Sequence, residues 1–220
     1  GNIRGLKIGL VSEITNSELV TSETKTAILE AGRVLEGLGA SVQEISLPLA
    51  TNGYAYTIQS GLTAEFTALY PDWVKNRLED FDYNIQVRLI VGALMPAQLY
   101  YKAQKLRALL RSQILDAFKK VDVLIAPTST GPAPKIEPGL MPSNKEDAVR
   151  HLRTPSFCTV AFALAGIPVL SVPCGFTKEG AKPLPLGLQV AGQPYAEELI
   201  LKVAHAYEQS TDWHTRKPQI

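Results

Sequence analysis

Groups that bind metals or form disulfides are scarce in this chain: its 220 residues carry two cysteines and three histidines. Cys158 and Cys174 lie in apolar surroundings, with no metal-ligand spacing and no histidine beside them, so they read as reduced, buried thiols. His151, His205 and His214 are far apart in sequence and form no HxxxH or similar pattern. That spacing argues against a metal site and leaves each as a surface histidine. Net charge is equally sparse. With 22 basic and 21 acidic residues the formal charge is +1, which gives no electrostatic footprint for direct nucleic-acid binding or for an anionic membrane. No signal peptide, lipidation motif or apolar run of about 18 residues is present, so nothing argues for export or membrane insertion, and a cytoplasmic setting is expected. The opening GNIRG has no initiator Met, as at a fragment boundary or after an added leader is trimmed.

Core-forming residues are plentiful. At 45% hydrophobic the chain can bury a sizeable interior, and without repeats or low-complexity linkers a single α/β domain over residues 1–220 is the economical reading. Leu6 to Val11, bounded by Gly5 and the polar run Ser12 to Ser17, suits a first buried strand. A helix follows, with Thr21 or Ser22 as its cap, Glu23 in the first turn, and Ile28, Ala31, Leu35 and Leu38 on one face before Gly39 stops it. Val42 to Leu47 then alternates as a strand, completing a β-α-β unit. Residues 53–95 read as poorly phased helix, interrupted at Pro71 and at the acidic turn Glu79 to Asp82.

Pro96 opens a long helix whose apolar stripe is Leu99, Ala103, Leu106, Leu110, Ala117 and Val121. Lys102, Lys105, Arg107 and Arg111 fall largely off that stripe and read as a solvated basic face. Asp122 to Ala126 is a short buried strand. Pro127 to Pro142 holds five prolines and two glycines and reads as a loop leaving the carboxyl end of a strand, where α/β sheets commonly place ligands. Ser156 to Gly192 is helix, strand, turn, strand. Ala165-Gly166 ends the helix, Pro168 opens the strand Val169 to Val172, Pro173 limits its far end, and Leu186 to Gly192 returns after the turn at Thr177 to Lys182. Two glycines in that last strand, Gly187 and Gly192, imply a backbone that something approaches closely. The closing helix, Ala196 to Glu208, carries Leu199, Ile200, Val203 and Tyr207 on one face.

The wording AGIPVLSVPCGF, then LPLGLQVAG, then AEELILKVAHAYE, resembles the C-terminal signature of the amidase signature family. GLKIGLVSE, YYKAQKLRALLR and DVLIAPTSTGPAP resemble other segments of that family in the same order, so the likeness covers nearly the whole chain. The resemblance implies an α/β fold, a mixed β-sheet with helices on both faces, forming the C-terminal half of an amidase signature domain. It also implies carboxamide hydrolysis through an acyl-serine. The family's nucleophilic serine sits in a Gly-Ser-Ser-rich stretch, with a second serine and a lysine, in the preceding half, and no such stretch occurs here. The implied partners are therefore a small-molecule amide and a separate N-terminal catalytic half, with self-association as the expected response to exposed surface. Neither a metal nor an organic cofactor is implied. A non-catalytic ligand-binding or scaffolding module is the alternative from another class, and a part of a glutamine-dependent tRNA amidotransferase A subunit is the alternative within the family. Any RNA would then be reached through other subunits.

No catalytic residue can be assigned, because acyl transfer needs a nucleophile, a base and oxyanion donors, and no stretch supplies all three. There is no Gly-x-Ser-x-Gly elbow, and Cys174 has no neighbouring base. Substrate-binding candidates are Arg88, Thr128, Ser129, Ser156 and Phe157. Arg88 sits inside the apolar run Val87 to Gly92. It either reaches a substrate, as a matching arginine does in the amidotransferase A subunits, or pairs with Glu79, Asp80 or Asp82. Thr128, Ser129 and Thr130 either line a site or only turn the loop. Ser156 matches the position of an aspartate that meets the glutamine ammonium in those subunits, and an uncharged hydroxyl there implies a more neutral pocket. Phe157 and Phe162 are apolar walls or simply core.

Overall fold

The computed structural model describes residues 2–52, 62–81, 83–135, 156–178 and 182–217. Its centre is a five-stranded sheet. β1 (Lys7–Val11) leads through the single turn α1 (Ser12–Thr15) and α2 (Ser22–Gly37) to β2 (Ser41–Ile45), which pairs parallel to β1. Thr21 caps α2, its Oγ1 accepting from the Thr24 N–H at 3.3 Å, and Gly39 takes φ +91° just beyond the helix end. β3 (Val123–Pro127) lies parallel to β1 on its other side. The hairpin strands β4 (Val169–Phe176) and β5 (Pro185–Gly192) complete the sheet in the order β2-β1-β3-β5-β4, with β5 antiparallel to both neighbours.

Alternation along the strands sends side chains to two cores. Ile8, Leu10, Val123, Ile125, Leu186, Leu188 and Val190 face Ile28 and Leu35 of α2 and Ile200, Val203 and Tyr207 of α8 (Glu197–Gln209). On the opposite face Val11, Leu124, Ala126 and Ala191 meet Leu110 and Ile114 of α6 (Ala97–Ala117) and Ala161 and Phe162 of α7 (Val160–Ala165). Helices thus cover both faces of a mixed sheet, as expected from the sequence. Truncating a fully buried member such as Ile114 would cost about 2–5 kcal/mol.

Between β2 and β3 the chain builds a helical arm from α3 (Leu62–Leu69), α4 (Pro71–Asn76), α5 (Tyr83–Ala93) and the start of α6. Pro71 opens α4 at its first turn instead of breaking a longer helix, because a proline there forfeits no helical hydrogen bond. Phe66, Tyr70, Trp73 and Phe81 pack ring to ring, and Arg77 lies over Trp73 at 4.2 Å. α3 and α5 meet at Gly92, with Leu89 buried beside it. Val87, Ile90, Val91 and Leu94 remain exposed at helical spacing.

Three expectations change in detail. Leu99 is 50% exposed, since the first turns of α6 run along the arm, and the buried stripe of α6 is Ala103, Leu110, Ile114 and Ala117. Pro173 does not end its strand: β4 continues to Phe176 through an irregularity between Pro173 and Gly175, which an edge strand tolerates. The basic face of α6 is only partly solvated. Arg107 donates to the Leu164 carbonyl at 2.8 Å, and Arg111 donates to the carbonyls of Ala165 and Gly166. These are the orphan acceptors at the end of α7, whose cap Gly166 sits at φ +61°, so two cations close a short helix that has little propensity of its own. Arg111→Ala is expected to destabilise the protein by about 1–3 kcal/mol. Arg111→Lys should recover only part of that, measured as the midpoint of chemical denaturation.

Candidate functional site

β3 delivers the chain to the carboxyl edge of the sheet at Pro127. The Thr128 N–H adds one more rung, donating to Gly187 O at 2.8 Å, after which the backbone leaves the ladder. Thr128 Oγ1 then meets Ser171 Oγ of β4 at 2.7 Å, across the width of β5. Gly187 makes this crossing feasible: a Cβ there would stand 2.9 Å from Thr128 Oγ1 and 3.3 Å from Ser171 Oγ. Ser129 Oγ donates to Gly131 O at 2.5 Å, and the carbonyl of buried Thr130 accepts from the Thr21 N–H at 2.8 Å, tying the segment to the start of α2.

A buried amide lies behind these hydroxyls. Gln189 is 1% exposed, and its Nε2 donates at 2.7 Å both to Pro127 O and to Cys158 O. Its Oε1 is buried and accepts no hydrogen bond from the described residues. Cys158 belongs to the turn at residues 156–159, in which Ser156 O accepts from the N–H groups of Thr159 at 3.2 Å and Val160 at 3.0 Å. The Ser156 side chain is exposed, whereas Phe157 and Phe162 are buried in the layer under α6 and α7.

Of the five candidates from sequence, Thr128, Ser129 and Ser156 fall on this rim or on the turn pinned to it, and Phe157 packs beneath. Arg88 lies on α5, whose main neighbours are α3 and α4. It is exposed and makes no hydrogen bond or ion pair with the described residues, and Asp80 is taken instead by Arg77 at 2.5 Å. Asp82 and His151 lie outside the described residues. Sequence reasoning missed Ser171 and Gln189. The signal for Gln189 was an amide at an inward position of an otherwise apolar, alternating strand.

The described residues of the rim supply hydroxyls and peptide groups but no base. Among the described residues, no lysine, histidine or carboxylate hydrogen-bonds to Thr128, Ser129, Ser156 or Ser171. Burial pushes both thiols, Cys158 and Cys174, up to about 12, which leaves them protonated and unreactive near neutral pH. A disulfide reagent at pH 8 is therefore expected to titrate neither thiol in the folded chain and both after denaturation. Glu13 is committed to structure. Burial opposes its charge, but donors from Ser46, Leu47 and Ser12 outweigh that and hold its carboxyl below the usual range. No cluster of three or more metal-ligating side chains occurs among the described residues, and no described helix is long and apolar enough to cross a membrane.

A sheet of this order, with a hydroxyl rim at the end of β3, can be compared with known proteins. The family model described as Amidase matches residues 2–201. The chain belongs to the amidase family. The A subunit of the glutamyl-tRNA(Gln) amidotransferase of Halalkalibacterium halodurans is 35% identical over 246 aligned residues, which take in 100% of this chain and 48% of that protein. This amidase chain thus spans about half the length of the curated relatives it matches. Among solved structures, an inhibitor-bound chain from a vestigial protein complex linked to the origin of an s-triazine catabolic enzyme superposes with a TM-score of 0.79 at 26% identity, over 96% of this chain and 44% of that one. A bacterial aryl acylamidase of the amidase signature family gives 0.75 at 23% identity, over 97% of this chain and 45% of its own, a likeness of fold.

Proposed function

We propose that this chain is the C-terminal half of an amidase that hydrolyses a small carboxamide through an acyl-serine, in a cytoplasmic setting. It acts as one α/β domain that supplies sheet and pocket wall, while a separate portion supplies the serine, second serine and lysine. The observation that carries this reading is the hydroxyl rim, which can hold a polar substrate but, among the described residues, has no base with which to attack it. Hydrogen-bonding groups fixed on strands suit positioning, and proton abstraction needs a titratable group that the described residues of the rim do not supply. The edge of β4, which no other strand of the described residues pairs, carries the exposed Val169 and Ser171 on one face and suits the place where the other portion joins. The exposed stripe Val87, Ile90, Val91 and Leu94 suits self-association or a further protein partner.

Arg88, exposed and without a partner among the described residues, suits a substrate carbonyl or carboxylate in the assembled enzyme. Arg88→Ala is then expected to lower kcat/KM by about 1.5–3 kcal/mol of transition-state stabilisation while the melting temperature holds. Unaltered kcat/KM would remove Arg88 from the site. Ser156→Asp should shift preference toward amides that bear an ammonium group, such as glutamine. A second reading, part of a glutamine-dependent amidotransferase A subunit, is favoured by the 35% identity to such a protein. The neutral Ser156 weighs against it. Turnover of glutamine by the unmodified assembly at a rate exceeding that of simple amides would reverse that preference.

A further inference from the structure

We propose that Gln189 is a positioning residue, whose one carboxamide nitrogen fixes the relative placement of the two backbone segments that carry the hydroxyls of Thr128, Ser129 and Ser156. Pro127 O is the last carbonyl before Thr128, and Cys158 O lies two residues after Ser156. Both accept from the same Nε2 at 2.7 Å, so two segments distant in sequence converge on one donor group. The geometry explains why an amide stands in this strand. Its neighbours Leu188, Val190 and Ala191 are fully apolar and buried, and an apolar side chain at 189 would leave two carbonyls unpaired in the core. Rigid support of this kind decides whether groups on loops hold the spacing a substrate needs. The assignment deepens the amidase reading and rests on it only for what the rim would bind.

The test uses hydrogen exchange in this chain and needs no substrate, so it can fail or succeed independently of the amidase reading. Gln189→Met keeps length but removes the donor. Gln189→Glu places a buried carboxyl against two acceptors: ionised it donates nothing, and protonated it donates once. Burial raises such a carboxyl above the ordinary Glu value of about 4.3, so any support it gives is present at acid pH and is lost as pH rises through the raised value. Both variants are expected at neutral pH to lose about tenfold protection at the amides of Thr128, Thr159 and Val160. The β1–β2 amides should keep theirs. On acidification only Gln189→Glu should regain protection, scored as protection factors that remove the intrinsic pH dependence. Undiminished rim protection in Gln189→Met, or in Gln189→Glu at a pH above its raised value, or a loss spread evenly through the sheet without acid rescue, would overturn the assignment. If Gln189→Met does not fold, the acid limb of Gln189→Glu decides alone.

Discussion

Purified alone, the 220-residue chain is expected to hydrolyse no carboxamide above background, and mixing it with a polypeptide that carries the family's serine, second serine and lysine should restore turnover. The magnitude follows from what is missing. Removing a nucleophile from an acyl-transfer enzyme costs on the order of 10^6 in kcat, and what survives comes from binding and oxyanion donors. On the reading proposed above, the rim would offer only the binding part. Thr128 and Ser171 hydrogen-bond to each other, Ser129 to a backbone carbonyl, and among the described residues no base hydrogen-bonds to any of them. The thiols cannot substitute, since burial pushes each up to about 12. An aryl amide releasing a chromophoric amine would be assayed on each portion and on the mixture, with an acylating serine probe followed by mass spectrometry. Turnover by the isolated chain, together with probe on one of its own serines, would refute the division of labour proposed above.

The elements governed by local chemistry were legible before any coordinates. β1, α2 and β2 follow from a strand's apolar run, a Thr21 cap and a Gly39 stop, and each of these forces acts within a few residues. Gly166 at φ +61° is equally local. The failures share another cause: they depend on what an element meets. Leu99 has helical spacing with Ala103, but there α6 runs along the arm, where Tyr100 and Gln104 meet Glu65, and Leu99 stays half exposed, so periodicity alone overstated the buried stripe. Arg107 and Arg111 lie on a basic face, yet the carbonyls they complete sit more than 50 residues away, at separations of 57 and 54. The site divides in the same way. Thr128 and Ser129 could be named as candidates because they follow a buried strand, a positional rule for α/β sheets. Ser171 and Gln189 become meaningful only once β5 runs between β3 and β4, which no run of residues announces.

The second large effect is expected at Gly92, where α5 crosses α3. On helix propensity alone Gly92→Ala would stabilise α5 by about 1 kcal/mol. Packing decides otherwise. A Cβ at position 92 would lie 2.2 Å from Thr63 O, 2.2 Å from Thr67 Oγ1 and 2.7 Å from the Thr63 carbonyl carbon, and two of those three atoms are backbone that no rotamer change can move. The helices must part by an ångström or more, which exposes Leu89 and breaks the 2.9 Å contact of Thr67 Oγ1 with Leu89 O. Overpacking costs about 1–3 kcal/mol before those losses are added, so the net effect is destabilising. The damage should stay in the arm, because α3 packs chiefly on α5 and reaches α6 through Glu65, which accepts from Tyr100 at 2.9 Å. The expected result is a low-temperature loss of helical signal and early proteolytic cutting between residues 62 and 96, with the main unfolding of the sheet unchanged. Gly37→Ala is the control: nothing lies within 4 Å of its added Cβ, so relief of chain entropy should leave it neutral or slightly more stable. A Gly92→Ala protein as stable as that control would mean that α3 and α5 do not touch at this crossing, and the arm would have to be held by its aromatic cluster alone.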